Sequence, residues 1–311
     1  MITKRVDAIT HIDKAHKDTI IPAPKSVKIE LTAKCNFRCT FCASEQRLRT
    51  KGDMDFGFFQ RITKEMSEIG VKELGVFYLG ESFLSSNLIK AIHYAKNVAK
   101  FPYVFLTTNG SVAFGNRVKE CMNAGLDSLK FSLNYASPEQ FEQIARVKGP
   151  LYYRILDNMR AARIVRDEVL DATGHNCGLY ASYIKYDEEQ DEKMQQIVDE
   201  AKQHVDEIYA LPLYNQAALV PNAKAVAGNL GRYDNMREPI PCWSIFTEGH
   251  ITWDGKLSAC CFDHDGRFEM GDLTKQSFME CWNSTKFREL RQAHLDGCVD
   301  GTVCEKCIAW K

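Results

Sequence analysis

The strand-like run Val27-Lys28-Ile29-Glu30-Leu31, followed by Cys35-Asn36-Phe37-Arg38-Cys39-Thr40-Phe41-Cys42, decides how the rest of this chain is read. The second run places three thiols within eight residues, spaced by three residues and then by two. Thiols so arranged can turn inward onto one metal centre. A four-iron cluster has four iron corners, so three cysteines leave one iron open as a reaction site, where full thiolate ligation usually gives an electron carrier. A zinc knuckle is the competing reading, but zinc sites usually pair cysteines as Cys-x2-4-Cys with a fourth ligand close by, and none is near in sequence. Three unrelated buried cysteines is the plainest alternative.

Working outward, the first two-thirds of the 311 residues alternate strand and helix signals. Strands are expected at Lys28–Leu31, Glu73–Tyr78, Tyr103–Thr107, Ser128–Leu133, Gly178–Ile184 and Glu207–Leu211. Helical patterns fall between them, with Ile62, Met66 and Ile69 marking a buried face at helical spacing. Such alternation implies a parallel sheet with right-handed crossovers. Six strands fall short of the eight of a closed barrel. From about Leu213 the pattern changes: Pro212, Pro221, Pro239 and Pro241 break the chain, and Gly228 and Gly231 loosen it. A hairpin is expected next, with Asp254-Gly255 as a type I′ turn between Gly249–Trp253 and Lys256–Ala259. A helix over Ser277–Ala293 precedes the tail pair Cys304-Glu305-Lys306-Cys307. The expected division is 1–25 as an N-terminal extension, 26–212 as the barrel, 213–240 as a linker and 241–311 as a small cysteine-bearing domain.

The formal net charge is −1, so no overall field draws the chain to nucleic acid or membrane. No run approaches 18 apolar residues, and Met1 to Asp18 lacks the apolar segment of a secretory signal. Twelve cysteines without such a signal read as metal ligands in a reducing compartment, hence a cytoplasmic location.

The Cys35/Cys39/Cys42 spacing, with an aromatic before the last cysteine, resembles the signature of radical S-adenosylmethionine (SAM) enzymes. That resemblance implies a partial six-stranded β/α barrel, a SAM-binding four-iron cluster and SAM itself. Leu79-Gly80-Glu81-Ser82 after the second strand resembles the family's Gly-Gly-Glu-Pro motif, with Leu79 and Ser82 departing from it. Thr107-Thr108-Asn109-Gly110 ends the third strand and resembles a Thr-Asn-Gly run of the family. Ser132 and Asn134 stand where relatives often show Ser-Leu-Asp, and Arg146 stands where relatives place an arginine against the SAM carboxylate. The resemblance thus makes Gly80, Glu81, Ser82, Asn109, Ser132, Asn134 and Arg146 candidate SAM contacts. Simple turns and a surface arginine are the ordinary alternatives.

Cys242, then Gly255-x4-Cys260, then Cys304-x2-Cys307 resembles the SPASM/Twitch extension, which binds auxiliary four-iron clusters. The full SPASM form needs seven or more cysteines, so the resemblance favours the short Twitch form with one auxiliary cluster on Cys242, Cys260, Cys304 and Cys307. Four thiolates alone also suit zinc. If Cys260 and Cys261 lie on a strand, they point to opposite faces and only one serves. Cys298 is the reserve ligand, Cys121 and Cys177 are expected to be small buried hydrophobes, and His250 and His264 are expected at the surface or in turns.

The resemblance implies an enzyme that cleaves SAM to a 5′-deoxyadenosyl radical and takes hydrogen from an unactivated carbon. Two-electron oxidation of a small sugar, cyclitol or similar metabolite is the first expectation, with a reducing electron donor such as flavodoxin or ferredoxin as partner. Peptide or protein maturation and sugar epimerisation are alternatives. The segment before Ser26 is too short for the peptide-recognition domain of many peptide modifiers. A structural zinc or iron–sulfur protein is the non-enzymatic alternative. Tyr78, Tyr183 and Lys185 sit at strand ends without an assignable role, and no catalytic base is legible.

Overall fold

A computed structural model describes residues 1–46, 49–220 and 240–307. Helix α1 is Ile2–Thr10. Strands β1 (Ser26–Ile29), β2 (Glu73–Gly75), β3 (Tyr103–Thr108), β4 (Ser128–Ser132), β5 (Gly178–Lys185) and β6 (Glu207–Pro212) alternate with helices α2 (Phe56–Glu68), α3 (Leu88–His93), α4 (Gly115–Asn123), α5 (Pro138–Ala145), α6 (Pro150–Thr173) and α7 (Gln190–Ala201). After α8 (Ser244–Thr247) come β7 (Glu248–Ile251), β8 (Lys256–Ser258) and β9 (Glu269–Asp272), then α9 (Phe278–Trp282) and α10 (Thr285–Leu295).

The nine strands of the described residues form one sheet, in the order β6-β5-β4-β3-β2-β1-β7-β8-β9. Strands β1 to β6 are parallel neighbours in sequence order. The six-stranded α/β barrel therefore stays open, because β1 pairs with β7 on its free side and not with β6. The 241–311 segment adds strands to the barrel's own sheet: Lys28 sits opposite His250 in a parallel register, and β8 then turns back antiparallel. Most of the expected 213–240 linker, residues 221–239, lies outside the described residues.

Period-two alternation sets the layers. On β3, buried Val104, Leu106 and Thr108 alternate with half-buried Tyr103, Phe105 and Thr107. Val27, Ile29, Leu74, Leu129, Phe131, Leu179 and Ala181 belong to the same apolar layer as helical residues such as Phe59, Ile62, Met66, Val118 and Met159. The concave face is polar. Its N-terminal end is covered by α1, and a residual cavity of about 70 Å³ there is lined by Ile2, Arg5, Lys28, Glu73, Tyr103 and Glu248 among others. Arg5 meets Glu73 at 2.5 Å and lies 3.0 Å from the Tyr103 ring centroid. Sequence reasoning missed α1, although Ile2, Val6 and Ile9 carry helical spacing.

Burial outweighs the Arg5 charge and lifts the Glu73 carboxyl to about 7. A carboxyl raised on folding binds its proton more tightly in the native state, so stability is fullest below the unfolded value and falls as pH rises through about 7. Between those values the slope approaches about 1.4 kcal/mol per pH unit. Glu73→Gln is expected to flatten this fall, as measured by thermal unfolding at a series of pH values.

The hairpin departs from its expected turn. A type I′ turn needs positive φ at both central residues, yet of Asp254 and Gly255 only the glycine has it, at 81°. The Gly255 N–H donates to the Thr252 carbonyl at 2.9 Å, and the Thr252 N–H to Lys256 at 3.0 Å. This is a longer loop in which Gly255 follows a tight turn. The helix expected over Ser277–Ala293 is two helices, because Ser277 and Ser284 each accept a backbone N–H at a helix start. Arg291 joins this region to the N-terminal extension, donating to the carbonyls of Thr19, Ile245 and Trp282.

Candidate active site and its two cysteine sets

The Cys35–Cys42 loop follows β1 at the C-terminal end of the parallel strands, where α/β barrels gather function. Gly80 is dictated by close approach: a Cβ there would lie 2.1 Å from the Thr32 carbonyl oxygen and 2.8 Å from that of Lys34. Beside it the Glu81 N–H donates to the Lys34 carbonyl at 2.8 Å, anchoring the base of the cysteine loop.

The Glu81 carboxylate is buried. It accepts from the Asn109 N–H at 2.7 Å, the Thr108 hydroxyl at 2.8 Å and the Phe83 N–H at 3.2 Å. Burial raises its pKa, and these three donors oppose the rise. Asn109 in turn donates to the Asn36 side chain at 2.9 Å, and Asn36 donates to Ser111 at 2.8 Å. The ends of β2 and β3 therefore hold the cysteine loop by a continuous polar chain. Ser82, also buried, donates to the Val76 carbonyl at 2.8 Å.

On the loop's other side, the N–H groups of Arg38 and Thr40 donate to the carbonyls of Ala145 and Ile144 at the end of α5. Arg146 caps that helix in the left-handed region, at φ 54°. Ser132 ends β4 opposite Ser182, and Asn134 is buried just beyond.

Cys35, Cys39 and Cys42 are half-buried. Burial pushes the Cys39 thiol up, and both neighbouring thiols add to the rise. Its sulfur lies 3.4 Å from the Tyr135 hydroxyl, a partner that sequence reasoning missed.

The second set draws on three segments. Burial raises the Cys242 thiol, with further contributions from Cys304, Cys307 and Cys261. Cys260 is raised first by its hydrogen bond with Cys261 and then by burial. Cys304 is pushed up to about 12, mainly by burial. Five thiols, Cys242, Cys260, Cys261, Cys304 and Cys307, are thus electrostatic neighbours. The alternation that would separate Cys260 from Cys261 does not apply, because β8 ends at Ser258 and both cysteines lie in the turn beyond it. Cys298 is exposed, while Cys121 and Cys177 are fully buried. Cys298→Ser is expected to leave the iron content of reconstituted protein unchanged, whereas Cys242→Ala lowers it by about four irons.

His250 and His264 are both buried, at 0% and 2% exposure, which corrects the expected surface position; His264 lies in a bend, whereas His250 is on β7. Parallel pairing with β1 places His250 inside the barrel, 5.3 Å from the Tyr78 ring and 3.7 Å from Glu248, which also pairs with Lys28 at 2.5 Å. Tyr78 donates to the Cys260 carbonyl at 2.5 Å. His294 was likewise missed. Its Nδ1 accepts from the Cys242 N–H at 3.2 Å, burial lowers its pKa to about 4, and its buried Nε2 has no hydrogen-bond partner among the described residues. Tyr183 and Lys185 both bond Asp191 on α7.

A short left-handed turn ties the two sets together. Gln216, at φ 48°, bonds the Phe41 carbonyl and the Ala43 N–H on either side of Cys42, at 2.7 and 2.9 Å. Its neighbour Asn215 donates to the Lys306 carbonyl, between Cys304 and Cys307, at 2.9 Å. Tyr214 packs on Phe262 of the hairpin end, and Arg267 bonds the Ala217 carbonyl.

Among the described residues, no three His, Cys, Asp or Glu side chains pack closely enough to grip a single metal ion. The donors are nonetheless soft thiols, the ligand type that suits iron–sulfur clusters. Among the described residues no helix is long and apolar enough to cross a membrane.

An open parallel barrel with three thiols at its mouth and a second thiol set in the turns and tail around its added strands defines a class of iron–sulfur barrel proteins. The radical SAM superfamily model matches residues 29–173, and the iron–sulfur cluster-binding SPASM model matches residues 242–308. The chain belongs to the radical SAM superfamily and carries a SPASM domain. Its cofactors are accordingly SAM, a four-iron cluster and auxiliary iron–sulfur.

Among solved structures, SuiB of Streptococcus suis bound to precursor peptide SuiA aligns with TM-score 0.70 and 14% identity, over 99% of this chain and 73% of that one. BtrN in complex with AdoMet and 2-DOIA aligns with TM-score 0.60 and 16% identity, over 91% and 92%. These likenesses show the fold. A GTP 3′,8-cyclase of Limosilactobacillus fermentum is 25% identical over 76% of this chain and 79% of its own length. One from Clostridium perfringens is 28% identical, but the match spans only 39% of this chain and 38% of that relative.

Proposed function

We propose that this radical SAM protein oxidises a small polyol, sugar or cyclitol-like metabolite by two electrons. The supporting observation is the joining of two cysteine sets of different ligand number by Asn215 and Gln216. In this reading Cys35, Cys39 and Cys42 hold the SAM-binding cluster, and Cys242, Cys260, Cys304 and Cys307 hold the auxiliary one, with Cys261 the contender beside Cys260. The division at 26–212 and 241–311 then separates radical generation from electron acceptance. When bound, the first cluster and SAM supply a 5′-deoxyadenosyl radical, which takes one hydrogen atom from the substrate carbon.

This chain's residues position and shield. Gly80 and Glu81 pin the cysteine loop to β2, and Asn109 holds Asn36. Ser82, Ser132, Asn134 and Arg146 surround the same mouth as SAM contacts. A ketone would form once the carbon gave up one further electron and its hydroxyl released a proton to solvent; the second thiol set would hold the cluster that takes the electron. A reduced flavodoxin or ferredoxin is the proposed partner for the first set.

A nucleotide substrate is the second reading, favoured by the 25% identity to a GTP 3′,8-cyclase over most of both chains. Anaerobically reconstituted protein with reductant and SAM is expected to release 5′-deoxyadenosine. Mass spectrometry of a metabolite pool, GTP and a peptide pool then separates the readings: a product two hydrogens lighter among polyols supports the first. Absence of 5′-deoxyadenosine in every arm contradicts both.

A further inference from the structure

Gln216 holds the first cysteine loop from beyond the last barrel strand. Its amide donates to the Phe41 carbonyl at 2.7 Å and accepts from the Ala43 N–H at 2.9 Å, so it grips the peptide groups on both sides of Cys42. A carbonyl needs a donor and an N–H an acceptor, and a primary amide meets both needs at once. The loop nearer β1 has other anchors: Glu81 holds Lys34, and α5 holds Arg38 and Thr40. The Cys42 end is tied to Gln216.

The turn that carries Gln216 is strained. Gln216, Ala217 and Ala218 have φ of 48°, 55° and 72°, three consecutive left-handed residues and none of them glycine. L-residues visit that region singly, and a run of them persists only where the surroundings over-determine it. Bonds along the turn do so here. Asn215 donates to the Lys306 carbonyl at 2.9 Å, the Val220 N–H closes on the Asn215 carbonyl at 2.9 Å, and the Arg267 guanidinium bonds the Ala217 carbonyl. Lys306 lies between Cys304 and Cys307, and ligand segments of a metal site are ordered by the metal they bind. The grip on Cys42 therefore leans on a carbonyl whose position the C-terminal set controls. Residues 215–218 fall between the matched stretches 29–173 and 242–308, so this tie lies outside both family patterns.

We propose that Gln216 is a positioning residue for the SAM site, and that the Asn215–Gln216 turn makes SAM binding at Cys35, Cys39 and Cys42 depend on a filled C-terminal set. The proposal rests on the ligand assignment given above. With the second set filled, Lys306 holds Asn215, the turn stays left-handed and the Gln216 amide fixes Cys42. With it empty, the turn loses an anchor and relaxes toward right-handed backbone, which carries the amide away from the Cys42 peptides. The tie keeps the chain from cleaving SAM before the site that takes the second electron is in place.

The test measures SAM affinity of the reconstituted holoprotein by equilibrium dialysis with labelled SAM. Four proteins are compared: wild type, Gln216→Ala, Cys304→Ala/Cys307→Ala, and the combination of these substitutions. Emptying the C-terminal set should weaken SAM binding about 10-fold in wild type, a usual size for coupling between sites. Gln216→Ala should weaken it by a similar factor with both iron sets retained, and the cysteine substitutions should then add less than about twofold. Linkage is reciprocal, so SAM should raise the chelator concentration needed to strip the C-terminal iron from wild type and not from Gln216→Ala. Asn215→Ala cuts the tie at its other end while leaving the Gln216 amide, and should abolish the same coupling. SAM affinity unchanged by Gln216→Ala would overturn the proposal, as would full coupling in either Gln216→Ala or Asn215→Ala. If wild type binds no SAM, the radical SAM reading of the first loop fails. The tie is then decided by iron alone: emptying the C-terminal set should lower the first set's iron affinity in wild type and not in Gln216→Ala, and an equal loss in both would overturn it.

Discussion

Replacing Cys39 by Ala is expected to bring 5′-deoxyadenosine formation below about 1% of wild type, since even outer-shell partners of a metal site cost 10–100-fold when lost. Cys39 is the central thiol of its loop, half-buried, electrostatically linked to Cys35 and Cys42 and in contact with Tyr135. In the proposed reading no neighbouring cysteine on the loop can replace it, because the other two would each hold an iron of their own. The substitution removes one sulfur and leaves the bonds of Arg38 and Thr40 to α5 intact. The protein should therefore fold and keep the iron bound by its C-terminal set. Anaerobic turnover with dithionite and SAM, read by chromatography, checks it; substantial residual 5′-deoxyadenosine would show that this loop does not bear the reaction site.

Gly80→Ala should act nearly as strongly, by a different route. The added methyl would meet two backbone carbonyls, at 2.1 and 2.8 Å, and neither is a flexible side-chain end. Either β2's extension or the cysteine loop must shift, stretching the bond from Glu81 to Lys34. A displacement of about 1 Å at reacting groups can cost about 100-fold in rate, and overpacking of this kind costs about 1–3 kcal/mol of stability. Gly174→Ala is the control. Gly174 caps α6 at φ 74° with open space around it, so alanine there costs about 1–2 kcal/mol of backbone strain. Its SAM-cleaving rate should stay near wild type. Equal losses of activity in the two variants would mean that Gly80 matters only for general stability.

Much of this architecture was legible because its signals are local. The six parallel strands and the helices between them follow from alternation and helical spacing, with shifted ends: β1, expected at Lys28–Leu31, is found at Ser26–Ile29, and β2, expected to run to Tyr78, stops at Gly75. The three-cysteine loop was legible because its thiols are neighbours in the chain.

What escaped depends on contacts distant in sequence. The pairing of β7 with β1 joins residues more than two hundred positions apart and draws His250 from an expected surface position into the barrel. Gln216 and His294 reveal their roles only when Cys42 and Cys242 arrive beside them. The separation of Cys260 from Cys261 assumed a strand that stops two residues too early, at Ser258. Helix α1 is a different case: its apolar spacing was present but obscured by surrounding charge.

The central claim is that one chain carries two iron–sulfur sites, one with three cysteines and open to SAM, the other closed by the C-terminal set. Iron analysis with electron paramagnetic resonance of the reconstituted protein, with and without SAM, tests it directly. Wild type should hold about eight irons and show a reduced signal that changes on adding SAM. Cys35→Ala/Cys39→Ala/Cys42→Ala should hold about four irons with no response to SAM. Equal iron in the two proteins, or a SAM response that survives in the triple variant, would contradict the account.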